Sequence, residues 1–599
     1  MALKALNHVT KLIMERSKPT RQAYLERIAR HQGKIARKDL GCANLAHTYA
    51  SLPPHLKDTI KDTQRRNFAI VSAYNDMLSA HQPFKAYPDL IKEELLKHGL
   101  SAQFAGGVPA MCDGITQGYE GMELSLFSRD VIAMSTAVAL SHNVFDGAFY
   151  LGVCDKIVPG LLIGALHFGY LPSIFVPSGP MSSGISNAQK SKTRELFAQG
   201  KISRDALLES EMQSYHSVGT CTFYGTANSN QMMVELMGLH LPNSAFVNPT
   251  TSLRQALVKA AATHMATQEV KPIGELLSEK NIVNAMVGLM ATGGSTNHTI
   301  HLVAIAKAAG IIINWDDFDA ISQMTPLLAR VYPNGKADVN QFEAAGGLAF
   351  VVRELLNAGL LHEDCDTVME EGLHAYTKNP YLLEDKLTYK EGAQESLDTN
   401  IVRPIKEPFS LDGGLRTLKG NLGRAVIKVS AVAPEHQKIQ APALIFHSQQ
   451  EFLERFKQGD LNRDFIAVLP YQGPRANGMP ELHKLTPILG TLQDQGFKVA
   501  LITDGRMSGA SGKVPAAIHL SPEALLGGAI ALLQEGDEVL LDAKEGVLQA
   551  LVESKEWESR TPSPAPRDYF GSGRELFAGF RSLATSAESG ATSFGKQGE

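Results

Sequence analysis

The residues best suited to chemistry are three neighbours, Cys154, Asp155 and Lys156, in the run Gly152-Val153-Cys154-Asp155-Lys156-Ile157-Val158-Pro159-Gly160. A thiolate is a soft ligand that suits iron or zinc, whereas a carboxylate is a hard ligand that suits magnesium or manganese. Their adjacency points to two metals side by side. Taken alone, the run also fits a small buried cysteine followed by a surface ion pair. The same Cys-Asp pairing recurs at Cys112 and Asp113 in GGVPAMCDGITQG, and Cys221 lies in GTCTFYGTANSNQMM. Around Cys221 the small and hydroxyl residues would let a cluster approach the backbone, whose amides can bond its sulfurs. The competing reading of Cys221 is a buried cysteine in a tight turn before a helix. The chain has no Cys-x2-Cys or His-x3-His pair to close a tetrahedral zinc site. With ligands this far apart, an iron-sulfur cluster would have to be assembled by the fold, and an incompletely ligated iron could act as a Lewis acid.

Three further stretches could bind anions. LITDGRMSGASGKVPAAIHLSPEA joins a strand to a Gly/Ser turn bearing Arg506, Ser508, Ser511 and Lys513. It is not a nucleotide P-loop, because Met507 stands where glycine is needed and Val514 where serine or threonine is needed. MATGGSTNHTIHL opens a helix whose first amides are capped by Ser295 or Thr296 or hold an anion. YQGPRANGMPELHKL offers Arg475, His483 and Lys484 around a Gly-Pro turn, either as phosphate ligands or as a solvated loop.

Positioning such groups calls for an α/β framework. From about Asn67 to Gly310, β-rich runs (NFAIVSAYND, VFDGAFYLGVCDK, LPSIFVPSGPM) alternate with helical patterns (PDLIKEELLKHG, RDVIAMSTAVALSH). This is the signature of a layered α/β domain, in which ligands gather at the carboxyl ends of strands. Asp76, Asp113 and the Cys154 run all follow apolar runs and are expected on that edge. Residues 311–400 read as mostly helical, and the character changes near residue 400. The expectation is therefore a large N-terminal layered α/β domain (1–400) that binds cluster and metal, and a smaller β-rich, barrel-like C-terminal domain (401–599) that carries Ser508. The small polar end SAESGATSFGKQGE is expected to be mobile.

Composition narrows the partners. A chain of 599 residues is too long for one ordinary core. A formal charge of -5 with scattered Lys and Arg gives no field for nucleic acid. The N-terminus reads as one or two surface helices and lacks the apolar core of a secretory signal. Residues 157–181 carry no Asp, Glu, Lys or Arg, yet Pro159, Pro172, Pro177 and Pro180 divide them, so a buried helix and strand is expected rather than a membrane span. Five cysteines without pairing spacings fit a reducing cytoplasm.

Taken together, DGITQGYEGMELSLFSRDVIA, GVCDKIVPG, PSGPM, TCTFYGTANSNQMM, ATGGSTNH, GNLGRAVIK, QGPRANGMPELHKL and TDGRMSGASGKV make the chain similar, along nearly its whole length, to the dihydroxy-acid and phosphogluconate dehydratase family. NDMLSAHQPF, GGVPAMCDG and ANGMPELHKL resemble the phosphogluconate branch most. The resemblance implies a cytoplasmic, homodimeric iron-sulfur hydro-lyase. Such an enzyme removes water from a phosphorylated sugar acid at the entry of the Entner-Doudoroff route. Other sugar acids or branched-chain dihydroxy acids are the alternative substrates, and a non-catalytic iron-sulfur sensor is the alternative class. By resemblance, Cys154 and Cys221 hold a 4Fe-4S cluster; Asp113, Asp155 and Lys156 (where relatives carry a carbamylated lysine) hold a divalent cation, expected to be magnesium; and Ser508 is the catalytic base. Two positions depart from the family pattern. Ala80 replaces a cluster cysteine of the dihydroxy-acid branch, leaving Cys42 or Cys112 as third ligand, and Gln472 is expected where relatives place a metal-binding glutamate.

Overall fold

The computed structural model describes residues 2–594 apart from 32, 35, 199, 509–511 and 567–569. Four short strands, β1 (Asn67–Ser72), β2 (Ser101–Gly107), β3 (Gly147–Leu151) and β4 (Ser173–Phe175), form a parallel sheet in the order β2-β1-β3-β4. β1, β3 and β4 are buried along their whole length, as the apolar runs require of strands covered on both faces. The charge-free stretch becomes the buried helix Ile157–His167, a turn and then β4. This helix packs tightly on the helix Ser125–Leu140: a Cβ on Gly160 would lie 2.6 Å from the Arg129 carbonyl oxygen, and one on Gly164 2.6 Å from Thr136 Cβ. Only glycine permits that approach. Among the described residues, no helix is long and apolar enough to cross a membrane.

The N-terminus is one helix, Ala2–Ala29, seated by Leu6, Val9, Ile13 and Ile28 and by Arg21, which donates to the carbonyls of Gly274, Leu277 and Ala309. Residues 311–400 depart from the helical expectation. After helices at Trp315–Met324, Val339–Ala344 and Gly347–Asn357 comes a hairpin of β5 (Lys378–Leu383) and β6 (Lys386–Glu391). Its two-residue turn holds Glu384 and Asp385 at φ 47° and 61°, the left-handed pair that matches strand twist.

The C-terminal part is a closed eight-stranded barrel: β7 (Leu415–Gly420), β8 (Gly423–Lys428), β9 (Lys438–Ile445), β10 (Phe465–Leu469), β11 (Val499–Thr503), β12 (Ala516–Ser521), β13 (Glu538–Asp542) and β14 (Val547–Ala550). β9, β10, β11 and β12 run parallel, and antiparallel pairs complete most of the circuit. Ile427, Ile439, Ile466, Val468, Ile502 and Leu541 form a second core, distinct from the one around the N-terminal sheet. The barrel expected from short β-branched runs is present.

The expected mobile tail is, through residue 594, docked. Arg129 Nη1 and Nη2 donate to the carbonyls of Gly590 (2.9 Å) and Ala591 (2.8 Å), and Asp130 accepts from Ser593 N and Oγ (both 2.7 Å). Composition suggested disorder because the segment is small and polar. Its order comes from buried charges elsewhere that need its backbone. Residues 595–599 lie outside the described part.

Candidate active site

The carboxyl ends of β1, β2 and β3 share one edge, as parallel pairing demands. Asp113 starts a short helix after β2, and Cys154 follows β3. Cys154 sits at φ 76°, a left-handed conformation that is costly for a residue with a Cβ. Asn230 holds the strained turn by donating its Nδ2 to the carbonyls of Cys154 (3.0 Å) and Asp155 (2.9 Å). From the same helix, Asn228 donates to the carbonyls of Cys221 (2.7 Å) and Phe223 (2.8 Å). One helix therefore clamps both cysteine loops. Asp76 also follows the carboxyl end of β1, as expected, but it is exposed and accepts from the Tyr74 hydroxyl.

The metal ligands expected from sequence do meet. Lys156, fully buried, donates to Asp113 and, at 2.7 Å, to Asp155. The third carboxylate is Glu481, not the neighbourhood of Gln472: ligand oxygens of Asp113, Asp155 and Glu481 lie within 4.8 Å of one another. Arg506 joins them, with Nη1 3.0 Å from Glu481 and Nη2 3.1 Å from Asp113. Gln472 is occupied structurally. Its amide nitrogen approaches the Pro470 carbonyl at 3.4 Å, and its oxygen accepts from Asn477.

Three carboxylates facing two buried cations leave a local excess of negative charge, the condition that favours a hard divalent cation. The protonation pattern reflects that excess. Burial, and then the Asp113 charge, push the Glu481 carboxyl up to about 7. Burial also works against ionised Asp155, but Lys156, His301 and Arg506 outweigh it and hold that carboxyl well below the usual range. Burial disfavours the Lys156 ammonium too, yet Asp113 and Asp155 more than compensate and raise its pKa. His301, whose Nε2 is 3.4 Å from Asp155 Oδ1, is pushed down to about 4 by burial and stands as a neutral imidazole. Neither Glu481 nor His301 is among the residues expected from sequence: they lie in ANGMPELHKL and ATGGSTNHTIH, where no local spacing marks them as ligands.

The cysteines sort themselves by environment. Burial, and next the nearby Cys112 and Cys221 sulfurs, push the Cys154 thiol well above its ordinary value. Burial and Cys112 push Cys221 up to about 12. Cys112, Cys154 and Cys221 therefore feel one another's charge, whereas Cys42 is exposed at the start of the helix Cys42–Ala50. Three half-buried thiols with raised pKa values are costly as thiolates unless a metal supplies positive charge. This donor set suits a four-iron cluster held at three corners. The Ala80 loop flanks the same place: Ser79 accepts from Gly219 N, and His81 Nε2 lies 3.1 Å from the Val153 carbonyl.

Ser508 follows Arg506 by two residues and lines a small cavity of about 30 Å³ with Thr296, Thr486 and Lys428. Lys428 is held by the Gly293 (2.8 Å) and Gly294 (3.1 Å) carbonyls of the ATGGSTNH turn, and burial pushes its ammonium down to about 8. Ser511 lies outside the described residues. Of the cations considered for anion binding, Arg506 belongs to the carboxylate group and Lys513 pairs with exposed Asp494. Arg475 and Lys484 share a larger cavity that also borders Glu481.

Comparison with known proteins identifies the family. Residues 65–376 match the dihydroxy-acid/6-phosphogluconate dehydratase N-terminal family model, and residues 400–591 match its C-terminal counterpart. The chain is 62% identical over 603 residues to a phosphogluconate dehydratase of Helicobacter pylori J99, covering 99% of both chains. It is 59% identical to one of Pseudomonas aeruginosa (98% of both chains) and 55% identical to one of Escherichia coli K12 (98% of this chain, 99% of the relative). A sheet edge and a barrel 393 residues apart in sequence thus bring one acidic centre together, and the chain belongs to the dihydroxy-acid/6-phosphogluconate dehydratase family.

Proposed function

We propose that the chain dehydrates 6-phospho-D-gluconate to 2-dehydro-3-deoxy-6-phosphogluconate. The observation that carries this reading is the juxtaposition, where the sheet edge meets the barrel, of the hard donor set Asp113, Asp155 and Glu481 with the soft set Cys112, Cys154 and Cys221. Relatives that match over the full length are phosphogluconate dehydratases, which supports 6-phosphogluconate as the substrate.

Two difficulties define the reaction. The C2 proton lies beside a carboxylate and is weakly acidic, and hydroxide leaves C3 poorly. When bound, a divalent cation at the three carboxylates and an open cluster iron at the cysteines supply Lewis acidity to the two ends of this elimination. Asp113, Asp155 and Glu481 would hold the divalent cation, with Lys156 joining them as a carbamate. Cys112, rather than exposed Cys42, is the third cluster ligand in this reading. Ser508 takes the C2 proton. Lys428, which lines the same cavity, favours the serine alkoxide by its charge. The C3 hydroxyl departs as water by taking up the proton that Ser508 received from C2, which restores the serine for the next turnover, and the resulting enol tautomerises to the 2-ketone. The active form is expected in the cytoplasm as a homodimer, as the resemblance implies.

The test is anaerobic purification with iron and sulfide counts and a visible spectrum, followed by a 2-keto acid assay on phosphorylated and unphosphorylated aldonates. A brown protein that releases 2-keto acid from 6-phosphogluconate is the expected result. A colourless protein that stays inactive after cluster reconstitution sinks the reading.

A further inference from the structure

A cavity of about 540 Å³ opens beside the acidic centre, within the range of small-molecule sites. Its walls include the turn Gly118–Glu123, residues 447–450, the loop 471–484 that follows β10, and C-terminal residues that include Arg574 and Arg581. Glu481 lies in its lining, so the cavity abuts the carboxylate group. Its charges are unevenly committed. Arg574 is taken up by Glu123 at 2.6 Å and the Asn477 side chain at 2.9 Å, while Glu120 accepts from Ser572 at 2.7 Å. Arg475, by contrast, uses its backbone N toward Glu523 and its Nε toward the Ala584 carbonyl at 2.7 Å, which anchors the stem and leaves the two terminal nitrogens without a partner among the described residues. Among the described residues Lys484 donates only its backbone N, to Gln449 at 2.9 Å, and its stem rests on Gly118, where a Cβ would stand 3.5 Å from Lys484 Cε. Two half-buried cations, one held in place by its Nε, therefore face one cavity with donors to spare.

From this geometry we infer that the cavity is a binding site for a phosphate monoester, with the Arg475 guanidinium and the Lys484 ammonium as its ligands. A guanidinium fork matches two phosphate oxygens, and an ammonium adds a point charge without directional demand. The source closest to hand is the phosphate of the substrate itself; that source rests on the proposed function above, whereas the site does not. A separate phosphorylated metabolite bound next to the centre would use the same chemistry.

The experiment uses the anaerobically purified holoenzyme and inorganic phosphate as probe, with Arg475→Gln, Lys484→Gln and the rescue variant Arg475→Lys. Phosphate affinity, read by calorimetry, should fall at least tenfold in either Gln variant and recover in part in Arg475→Lys. Iron content and unfolding temperature serve as controls for folding. If the substrate supplies the phosphate, inorganic phosphate competes with 6-phosphogluconate. In that case the preference in kcat/KM for 6-phosphogluconate over gluconate also falls at least tenfold in the variants. If a separate ligand supplies it, phosphate alters kcat without competing. Phosphate affinity that is unchanged in both folded Gln variants overturns the inference, even if the wild type proves to be a dehydratase. Lost affinity upholds the site even if 6-phosphogluconate proves not to be the substrate.

Discussion

Arg506 Nη2 stands 3.1 Å from Asp113 Oδ2, joining a residue after the barrel strand β11 to one after the sheet strand β2. The same guanidinium reaches Glu481 at 3.0 Å, and its Nε donates to the Met479 carbonyl at 2.7 Å. The acidic centre is therefore a property of the assembled chain: Asp113 and Asp155 come from the sheet edge, and Glu481 comes from the barrel. Glu481→Gln should keep the fold, because an amide can still accept from Arg506, but it removes one hard anionic ligand. Affinity for magnesium or manganese, followed by calorimetry, should drop about 10–100-fold, on the scale of disturbed metal-site partners. Cluster absorbance should be retained. Undiminished divalent affinity would remove Glu481 from the site.

The cysteine environments make a sharper distinction. Cys112→Ser should lose iron and sulfide on anaerobic purification, together with most activity, because Cys112 adjoins both Cys154 and Cys221. Cys42→Ser should match the wild type in both, since Cys42 is exposed on the helix Cys42–Ala50. The reverse outcome would move the third ligand to Cys42.

How far the sequence reaches can be seen in these same residues. Cys154, Asp155 and Lys156 are adjacent, and Asp113 repeats the Cys-Asp pairing, so local spacing exposes them. Glu481 is different. It meets Gln117 across 364 positions at 3.0 Å, and nothing local to PELHKL distinguishes a ligand from a charged surface residue. Matching by the Gly-Pro turn placed the carboxylate at Gln472, whereas the fold uses the glutamate after Met479-Pro480. The barrel was legible because its strands are short, apolar and rich in β-branched residues. Its closure was not, because pairs such as β7 with β14 depend on register between distant segments. The β5–β6 hairpin escaped notice because its strands carry lysines and its turn is Glu-Asp rather than a glycine pair. The tail was misjudged because its order is imposed by buried Arg129 and Asp130.

Ser508→Ala tests the proton acceptor. A positioned base contributes about 10²–10⁴-fold, so turnover of 6-phosphogluconate should fall by that range while iron content and divalent affinity stay normal. Near-normal turnover with an intact cluster would exclude Ser508.

Arg129 links the tail to the centre. Its Nη1 donates to Gly590 and lies 3.3 Å from His301 Nδ1, and His301 in turn faces Asp155. Deleting residues 590–599 would leave Arg129 without two carbonyl acceptors and Asp130 without its two donors from Ser593. Each unmet buried group costs about 1–3 kcal/mol. The truncated chain should unfold several degrees lower than the full chain and bind the divalent cation more weakly. Equal unfolding temperatures would show that the docked tail contributes nothing to stability.

Glu523 provides the pH test. It accepts from the Arg475 backbone N and is 4% exposed; burial, and then the nearby Asp504 charge, push its carboxyl from 4.5 up to about 7. A carboxyl whose folded pKa is raised binds its proton more tightly in the folded state. Its stabilising contribution is therefore complete below the unfolded value near 4.5 and is lost as pH rises through about 7. One pKa unit corresponds to about 1.4 kcal/mol, so the penalty at pH 8 reaches at most about 3 kcal/mol. Glu523→Gln retains an acceptor and cannot ionise. Between about pH 5 and pH 7 the wild type should progressively lose unfolding temperature relative to this variant, and the divergence should level off at its largest above the folded pKa of about 7. Parallel stability curves across that interval would show that Glu523 titrates near its unfolded value and that the turn below Arg475 holds no protonated carboxyl.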